Sequence, residues 1–488
     1  MAEYDLTTKL IPYLERHLAF PLLSFLHENE IFPADELIRA QYELAKETNM
    51  VDYYAGLYEQ VYPGKEIPAE FAQKRQQAME TNERLEGEAQ AVLVVIENPD
   101  VVQALRQDKL QNLTYLKDNY GVTNDQITAL YNFGQFQYTY GNYTGAADYL
   151  YHFRILSTSN SLLLSAQWGK TASDILSGKW DTALEELNKL KEIIDAGVAS
   201  TSTTPGVNMP ALTQLQSRTW FMHWSLFVYF NHEDGRTALL ETFLAPTYLN
   251  TIQTSCPWLL RYLAAAAVIS RKNTGSASRT VRTSLPTVVK LIQTEAYQYS
   301  DPITDFLTDV YVEFDFDKAQ VSLKEAEKLI QNDFFLEGFK DEFLENARFV
   351  VSEAYCRIHQ RIDIADLSSR LNLSHQEGEK WIVNLIRDPS SALFSLSSDA
   401  KIDLEQNVIS TNKGSLPVYQ SVIEKTRGLA FRTQVLGAAM AKRGSGLPDQ
   451  PENGEEGQGD QHQHQHQHQH QNRKGQQHGG KKAVVAEG

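Results

Sequence analysis

Apolar residues recur at helical spacing through most of the chain. In residues 36–62, "ELIRAQYELAKETNMVDYYAGLYEQVY", the apolar positions fall mostly three and four residues apart: Leu37, Ile38, Tyr42, Leu44 and Ala45. This spacing places side chains on one face of an α-helix. Patterns typical of strands are scarce before about residue 360. The pattern therefore predicts a largely helical chain.

Two segments of the helical region repeat each other. "GNYTGAADYL" and "GKWDTALEEL" align at a shift of 37 positions, which pairs Gly141 with Gly178, Tyr143 with Trp180 and Ala146 with Ala183. Glycine can end a helix in a left-handed turn, the aromatic ring fills the gap between helices, and alanine lets the helices approach closely. The period is close to the ~34 residues of tetratricopeptide repeats and below the ~40–47 of HEAT-like repeats. The sequence predicts stacked helical hairpins, an architecture that presents surface to partners.

The pattern changes after residue 360. Residues 364–386, "IADLSSRLNLSHQEGEKWIVNLI", predict two short helices, and Ser374 with Glu377 forms a Ser-x-x-Glu capping box at the start of the second. The following "AKIDLE" alternates apolar and charged residues, as a half-buried strand does, and a turn leads back to Val408 and Ile409. Two helices followed by a hairpin predict a winged helix.

The charges on the second of these helices bear on DNA binding. Between residues 376 and 388 it carries three acids and two bases: Glu377, Glu379, Asp388, Lys380 and Arg387. A helix that reads a DNA groove needs Arg, Lys, Asn or Gln near its start. Here the start offers carboxylates, which would face phosphates. Sequence-specific DNA binding is therefore disfavoured, and a winged-helix nucleic-acid regulator is kept as an alternative.

A last helix is predicted from Pro417 to about Met440. Val422, Leu429, Leu436 and Met440 lie along one stripe, and other apolar residues lie off it. This is more apolar surface than one domain needs to bury, which favours a partner; the alternative is a helix packed back on its own solenoid. Residues 413–443 carry six bases and one acid. They could contact an acidic partner or RNA, or form a solvated charged face.

Composition narrows the possible classes of function. The 488 residues are 42% hydrophobic and carry a formal net charge of −17, which argues against a protein that coats phosphate backbones. Two cysteines, Cys256 and Cys356, provide neither a disulfide framework nor a zinc spacing and favour a reducing compartment. The N-terminus lacks a signal-peptide pattern, and the longest apolar run, residues 91–96, is too short to cross a bilayer. A cytoplasmic protein without a membrane partner is predicted.

Three stretches suggest chemistry and are better explained otherwise. "GKT" at 169–171 lacks the glycine that a P-loop needs five residues earlier, where Leu164 stands. Cys356 and His359 share one side of a helix, but core packing explains them better than a nucleophile and its base. "QHQHQHQHQH" could chelate metals weakly, but its surroundings predict a disordered tail. We predict no enzyme, with no catalytic, cofactor-binding or metal-binding residues.

Helical repeats that lead into a winged helix resemble the PCI-domain family, found in scaffold subunits of the proteasome lid, the signalosome and translation initiation factor three. Blocks such as "ETNMVDYY", "GNYTGAADYLYHFRIL", "FMHWSLFVYFNHEDGR" and "YQSVIEKTRGLAFRTQVL" further resemble the family of e subunits of eukaryotic translation initiation factor three. The resemblance extends from Met1 to about Arg443, and the tail departs from it.

The resemblance implies a non-catalytic scaffold that helps assemble the pre-initiation complex on the small ribosomal subunit. Its implied partners are other subunits of the factor (PCI and MPN types), the small ribosomal subunit and other initiation factors, with RNA contact through the basic last helix. Strand edges of neighbouring PCI subunits would join at Ile402, Leu404, Val408 and Ile409. The last helix would enter a bundle through Val422, Leu429, Leu436 and Met440. A scaffold of the proteasome lid or the signalosome is the alternative.

The predicted fold class is an all-α solenoid of TPR/HEAT-like hairpins followed by a winged helix. The predicted domains are N-terminal helical repeats (1–210), the helical part of a PCI domain (211–360), a winged helix (361–412), a C-terminal bundle helix (413–443) and a disordered tail rich in His and Gln (444–488).

Overall fold

The computed structural model describes residues 4–97, 109–157, 160–197, 210–271, 284–359, 361–371, 373–387, 400–403, 408–411 and 418–444. Two compact units divide the chain between residues 414 and 415. The predicted tail, 444–488, lies outside the described residues except for Gly444.

The first unit is a series of helices. They are α1 Thr7–Leu10, α2 Arg16–Glu28, α3 Ala34–Lys46, α4 Val51–Val61, α5 Ala69–Glu97, α6 Lys109–Tyr120, α7 Asn124–Tyr140, α8 Tyr143–Leu156, α9 Asn160–Leu176, α10 Trp180–Ala196, α11 Ala211–Asn231, α12 Gly235–Phe243, α13 Pro246–Ser255, α14 Leu260–Ile269, α15 Ser284–Glu295, α16 Pro302–Thr308, α17 Phe316–Gln331 and α18 Lys340–Ile358. The chain continues with β1 Arg361–Asp363, α19 Ile364–Arg370, α20 His375–Arg387, β2 Ala400–Asp403 and β3 Val408–Thr411. The second unit contains one long helix, α21 Val418–Gly444.

The repeat predicted from the sequence is confirmed at α7–α8 and α9–α10. Gly141 and Gly178 follow the first helix of each hairpin with φ of 100° and 70°, the left-handed region that glycine enters without strain. The turns also share a hydrogen bond: the Asn142 N–H donates to the Gln137 carbonyl at 2.9 Å, and the Lys179 N–H donates to the Asp174 carbonyl at 3.0 Å. Ala146 and Ala183 are fully buried. The small alanine side chains at these positions let the paired helices pack closely.

The main core lies around α11 and α14. Every residue of α14 is buried, and α11 is buried from Phe221 to Phe230. The start of the chain contributes to the same core, since Leu6, Leu10, Leu18 and Leu22 belong to it. The Trp224 indole N–H donates to the Tyr13 carbonyl at 3.0 Å. Residues near the N-terminus thus pack on helices more than two hundred positions later.

A buried charged cluster fixes this junction. The Arg261 guanidinium donates to Asp301 at 2.9 Å and to Asp333 at 3.1 Å, and it also donates to the Tyr4 carbonyl at 2.6 Å. All three charged side chains are buried. A buried guanidinium and its carboxylates are tolerated because each is paired and hydrogen-bonded. Arg261 therefore connects three distant parts of the chain.

The winged helix is confirmed, and its sheet has one strand more than the sequence predicts. The strand order is β1-β3-β2, with antiparallel pairing throughout. Ile409 lies opposite Ile362 of β1 on one side and opposite Ile402 of β2 on the other. Three residues, Arg361–Asp363, are too few to show the alternation that reveals a strand in a sequence. β3 is consequently the central strand.

Candidate subunit interface

The central position of β3 corrects part of the predicted strand edge. The sequence predicts Val408 and Ile409 at an edge open to a partner strand, but their strand is paired on both sides within the chain. In the sheet as described, the outer strands are β1 and β2. Ile402 lies in β2, while Leu404 lies outside the described residues. The edge that a neighbouring strand could extend is therefore that of β2 or β1.

The four residues predicted on the last helix lie together on α21. Val422, Leu429, Leu436 and Met440 are 54%, 62%, 63% and 71% exposed. At 3.6 residues per turn they fall within about 40° of one line along the helix. An apolar stripe of this width that remains exposed is typical of a surface that packs against another helix.

The spacing along this stripe is that of a heptad repeat. Val422, Thr426, Leu429, Thr433, Leu436 and Met440 are separated by alternating steps of four and three residues. The two threonine hydroxyls donate to the carbonyls of Val422 and Leu429, at 2.7 Å and 2.9 Å. Their polar groups are thus satisfied within α21, so burying these positions leaves no unpaired hydroxyl.

Basic side chains flank the stripe. Lys425 and Arg432 are exposed and lie seven residues apart, each three residues after an apolar residue of the stripe. In a helix pair, positions that flank the apolar seam form ion pairs across the interface and influence the choice of partner. The α21 surface therefore fits a helix with acidic residues beside its own apolar seam.

The start of α20 is unsuited to a DNA groove. The Glu377 carboxylate accepts from the Ser374 backbone N–H at 3.3 Å, and the Glu377 N–H donates to the Ser374 hydroxyl oxygen at 3.4 Å, as the predicted capping box requires. The Ser374 hydroxyl also donates to the Glu377 carboxylate at 2.8 Å. The bonds from the Ser374 hydroxyl and backbone lower the pKa of Glu377, so its carboxylate stays charged. A negative charge is thus held where a recognition helix would meet phosphates.

Close packing of α20 on α19 depends on a residue that no sequence pattern identifies. A Cβ added to Gly378 would lie 2.0 Å from the Ser368 hydroxyl oxygen and 2.6 Å from the Ser368 Cβ. Ser368 is itself buried and donates to the Ile364 carbonyl at 2.6 Å. Glycine at 378 therefore sets the distance between the two helices, and one glycine within a helical pattern gives no signal of such a contact.

Cys356 and Lys170, from two of the stretches that suggested chemistry, are both buried. Burial, followed by the nearby Glu353 charge, raises the pKa of the Cys356 thiol to about 12, which disfavours a nucleophilic thiolate. Lys170 of the "GKT" stretch is buried and donates to Asp174 at 2.6 Å, within a helix rather than a phosphate-binding loop. Among the described residues, no group of three or more His, Cys, Asp or Glu is placed to hold a metal ion.

The described helices include none with the length and apolar character needed to span a membrane.

The first unit is a series of helical hairpins that leads into a winged helix, and the exposed helix α21 follows later in the sequence. This order of elements is that of a PCI-domain protein. Family comparison gives the same class: the chain matches the PCI domain at residues 318–389, the eIF3 subunit 6 N terminal domain at 5–137, and the C-terminal region of the e subunit of eukaryotic translation initiation factor 3 at 417–437.

Curated relatives identify the family more narrowly. The chain is 48% identical over 474 residues to the e subunit of eukaryotic translation initiation factor 3 from Mycosarcoma maydis, an alignment that covers 90% of this chain and 86% of the relative. The same protein of Cryptococcus neoformans is 50% identical over 444 residues, covering 90% and 93%, and that of Aspergillus niger is 48% identical over 440 residues, covering 90% and 94%. The chain belongs to the family of e subunits of eukaryotic translation initiation factor 3, as its sequence blocks predict. It is a subunit of a translation initiation factor complex.

Proposed function

We propose that this chain is a non-catalytic scaffold in the cytoplasm. It joins other PCI and MPN subunits of initiation factor three and helps to assemble the pre-initiation complex on the small ribosomal subunit, where other initiation factors also meet it. The observation that carries this proposal is the exposed apolar stripe of α21. Burying such a stripe against a partner helix removes apolar surface from water at a gain of roughly 25 cal/mol per Å².

Two surfaces would carry the assembly. The first is the α21 stripe, whose heptad spacing and flanking Lys425 and Arg432 fit an acidic, amphipathic helix of a neighbouring subunit. The second is the outer edge of β2, at Ile402, where a strand of a neighbouring winged helix could add to the sheet. Val408 and Ile409 would support this edge from the central strand rather than bind the neighbour directly.

RNA contact through α21 is a second candidate function. Lys425, Arg427 and Arg432 are exposed on a helix with few acids, and such charges attract phosphate. Arg427 lies away from the apolar stripe, so it stays available when the stripe is covered. Binding to ribosomal RNA through Arg427 should then decline with increasing salt.

Two charged substitutions test the scaffold role. The double variant Leu429→Glu, Leu436→Glu places carboxylates within the stripe, where burial would strand them without partners. We expect at least tenfold less of the other subunits of initiation factor three to co-purify with this full-length variant. Each carboxylate buried without a partner costs several kcal/mol. Circular dichroism should show that the helical content is retained.

Gln434→Glu is the matched control. Gln434 is exposed on α21 and lies about 120° around the helix from Val422. Its new carboxylate should leave assembly unchanged. Full assembly of the double variant would exclude the α21 stripe as the scaffold surface, and recovery of proteasome lid or signalosome subunits instead would exclude the proposed complex.

A further inference from the structure

Three of the six tryptophans of the chain line one surface groove. Trp168 lies on α9, Trp220 and Trp224 lie on α11, and Leu14 and Leu164 complete the apolar wall of this tryptophan groove. The Trp168 ring meets those of Trp224 and Trp220 edge-to-face, with centroid distances of 4.7 Å and 6.4 Å. Trp224 is buried, whereas Trp220 is 48% exposed. The groove therefore has a fixed aromatic floor and an open side.

The preceding repeat closes over the same position. At the shift of 37 positions Trp168 corresponds to Tyr131, which is buried. The Tyr131 ring packs against Phe153 at 5.1 Å, and its hydroxyl forms a hydrogen bond with the Ser165 hydroxyl of the next repeat at 2.8 Å. Trp168 is only half-buried, and its indole N–H meets no acceptor among the described residues. One repeat thus covers its aromatic side chain, and the next leaves it accessible.

The tryptophan groove offers hydrogen-bond donors that the fold does not use. The Trp224 indole N–H donates to the Tyr13 carbonyl at 3.0 Å, so this donor is satisfied within the chain. The Trp220 indole N–H, like that of Trp168, finds no acceptor in the described part of the chain. Two donors thus stand beside apolar surface. A ligand that fits them offers carbonyl oxygens together with apolar groups.

The charges of the tryptophan groove do not select a charged ligand. Its two charged residues are Glu15 and Arg16. The Glu15 carboxylate accepts from the His17 N–H at 2.7 Å and from the Tyr138 hydroxyl, and Arg16 pairs with Glu47. One acid and one base, each with a partner in the chain, leave the groove without net charge. The complementary ligand is therefore an uncharged segment.

We propose that the tryptophan groove binds a proline-rich segment of another protein in the polyproline II conformation. Proline rings are apolar, proline carries no N–H, and the carbonyls of a polyproline II helix make no internal hydrogen bonds. Such a segment therefore supplies the apolar groups and the acceptors that the groove lacks. Aromatic-lined grooves bind these segments, whose preformed helix lowers the entropy cost of binding. The groove lies in the first compact unit, and its ligand does not depend on the scaffold role of α21.

A proline decapeptide tests the tryptophan groove. The full-length chain carries 5-fluorotryptophan at its six tryptophan positions, and Trp168→Phe and Trp220→Phe assign two of the fluorine NMR resonances. We expect the resonances of Trp168 and Trp220 to shift in a saturable way as the peptide is added. Trp381, on α20 and outside the groove, should keep its resonance position. No shift at Trp168 and Trp220, or a shift of the same size at Trp381, would overturn the proposal.

Two other decapeptides determine what the groove recognises. Alternating glycine and serine offers carbonyls without apolar rings, and it should bind roughly tenfold more weakly because it also lacks the preformed extended helix. Alternating arginine and glycine tests whether the tryptophan rings select a cation. It should bind no more tightly than the glycine–serine peptide. If the arginine peptide binds as tightly as the proline peptide or more tightly, the ligand is a basic segment and the proposal is wrong.

Substitutions at Trp220 separate binding from folding. Trp220→Ala should weaken binding of the proline peptide about 30-fold, the effect of losing an aromatic hot spot. Trp220→Phe keeps a ring without the N–H and should weaken binding about fivefold, the effect of one net hydrogen bond. Leu212→Ala, at a residue that is 66% exposed on the same helix outside the groove, is the control and should bind normally. Circular dichroism should show unchanged helical content in all three. Normal binding by Trp220→Ala, or an equal loss in Leu212→Ala, would refute the proposal.

Discussion

Helices α14 and α21 are both rich in apolar residues and lie in opposite environments. All residues of α14, Leu260–Ile269, are buried, whereas eight large apolar side chains of α21 are exposed. Their sequences differ in apolar content and in its arrangement. Apart from Arg261, every residue of α14 is apolar, whereas thirteen of the 27 residues of α21 are apolar and its apolar stripe is flanked by bases. Apolar surface on a helix therefore does not by itself locate a core, because a periodic apolar stripe can remain exposed until another helix packs against it.

Arginine shows the same contrast between the two regions. Arg261 of α14 is buried with Asp301 and Asp333, while Arg432 of α21 is exposed. A buried guanidinium that is paired stabilises the geometry around it, and removing it leaves unpaired carboxylates. An exposed guanidinium affects folding little and can affect association through its charge.

The largest expected effect is at Arg261. Arg261→Met should lower the free energy of unfolding by about 3–5 kcal/mol, because Asp301 and Asp333 would remain buried without their partner. Urea denaturation of the full-length chain, followed by circular dichroism, measures it. Arg432→Met on α21 is the control and should change the free energy of unfolding by less than about 0.5 kcal/mol. Equal effects at both arginines would contradict the contrast between the regions.

Glycine-to-alanine substitutions should give the next largest effect on stability. The effect should be destabilising in the first unit and stabilising on α21. Gly378→Ala should destabilise the first unit by about 1–3 kcal/mol, because its Cβ would overlap Ser368. Gly428→Ala lies on α21 with no atom within 4 Å of the added Cβ. It should stabilise the helix by about 0.5–1 kcal/mol, since alanine loses less backbone entropy than glycine. Urea and thermal denaturation should therefore report opposite shifts, and a stabilising Gly378→Ala would exclude the close packing of α20 on α19.

Much of the fold could be predicted from the sequence because local rules and tertiary packing agree. Gly141 and Gly178 mark helix ends by a requirement of the backbone itself. The capping box satisfies the N–H groups of Ser374 and Glu377 locally. The additional strand of the sheet, β1, could not be predicted, since its alternation of exposed and buried side chains covers only three residues. The Arg261 cluster joins positions far apart in sequence, and no local pattern reveals such a contact.

Only part of the candidate interface could be predicted from the sequence, because only part of it depends on a local pattern. The stripe on α21 depends on helical period, which is visible in the sequence, so Val422, Leu429, Leu436 and Met440 share a line as expected. The strand edge depends on pairing order, which a single sequence does not specify, so the prediction puts Val408 and Ile409 at an edge instead of the centre.

The smallest expected effect lies in the charges beside the α21 stripe. Lys425→Glu and Arg432→Glu, each in the full-length chain, should weaken binding to the other subunits by up to about 1 kcal/mol, because flanking ion pairs remain partly solvated. The loss should appear mainly as slower association, measured by surface plasmon resonance, and should shrink as salt rises. Arg427→Glu, away from the stripe, should leave subunit binding unchanged. If binding instead improves with Glu at 425 or 432, the partner helix presents bases, and the acidic partner inferred from these two positions is wrong.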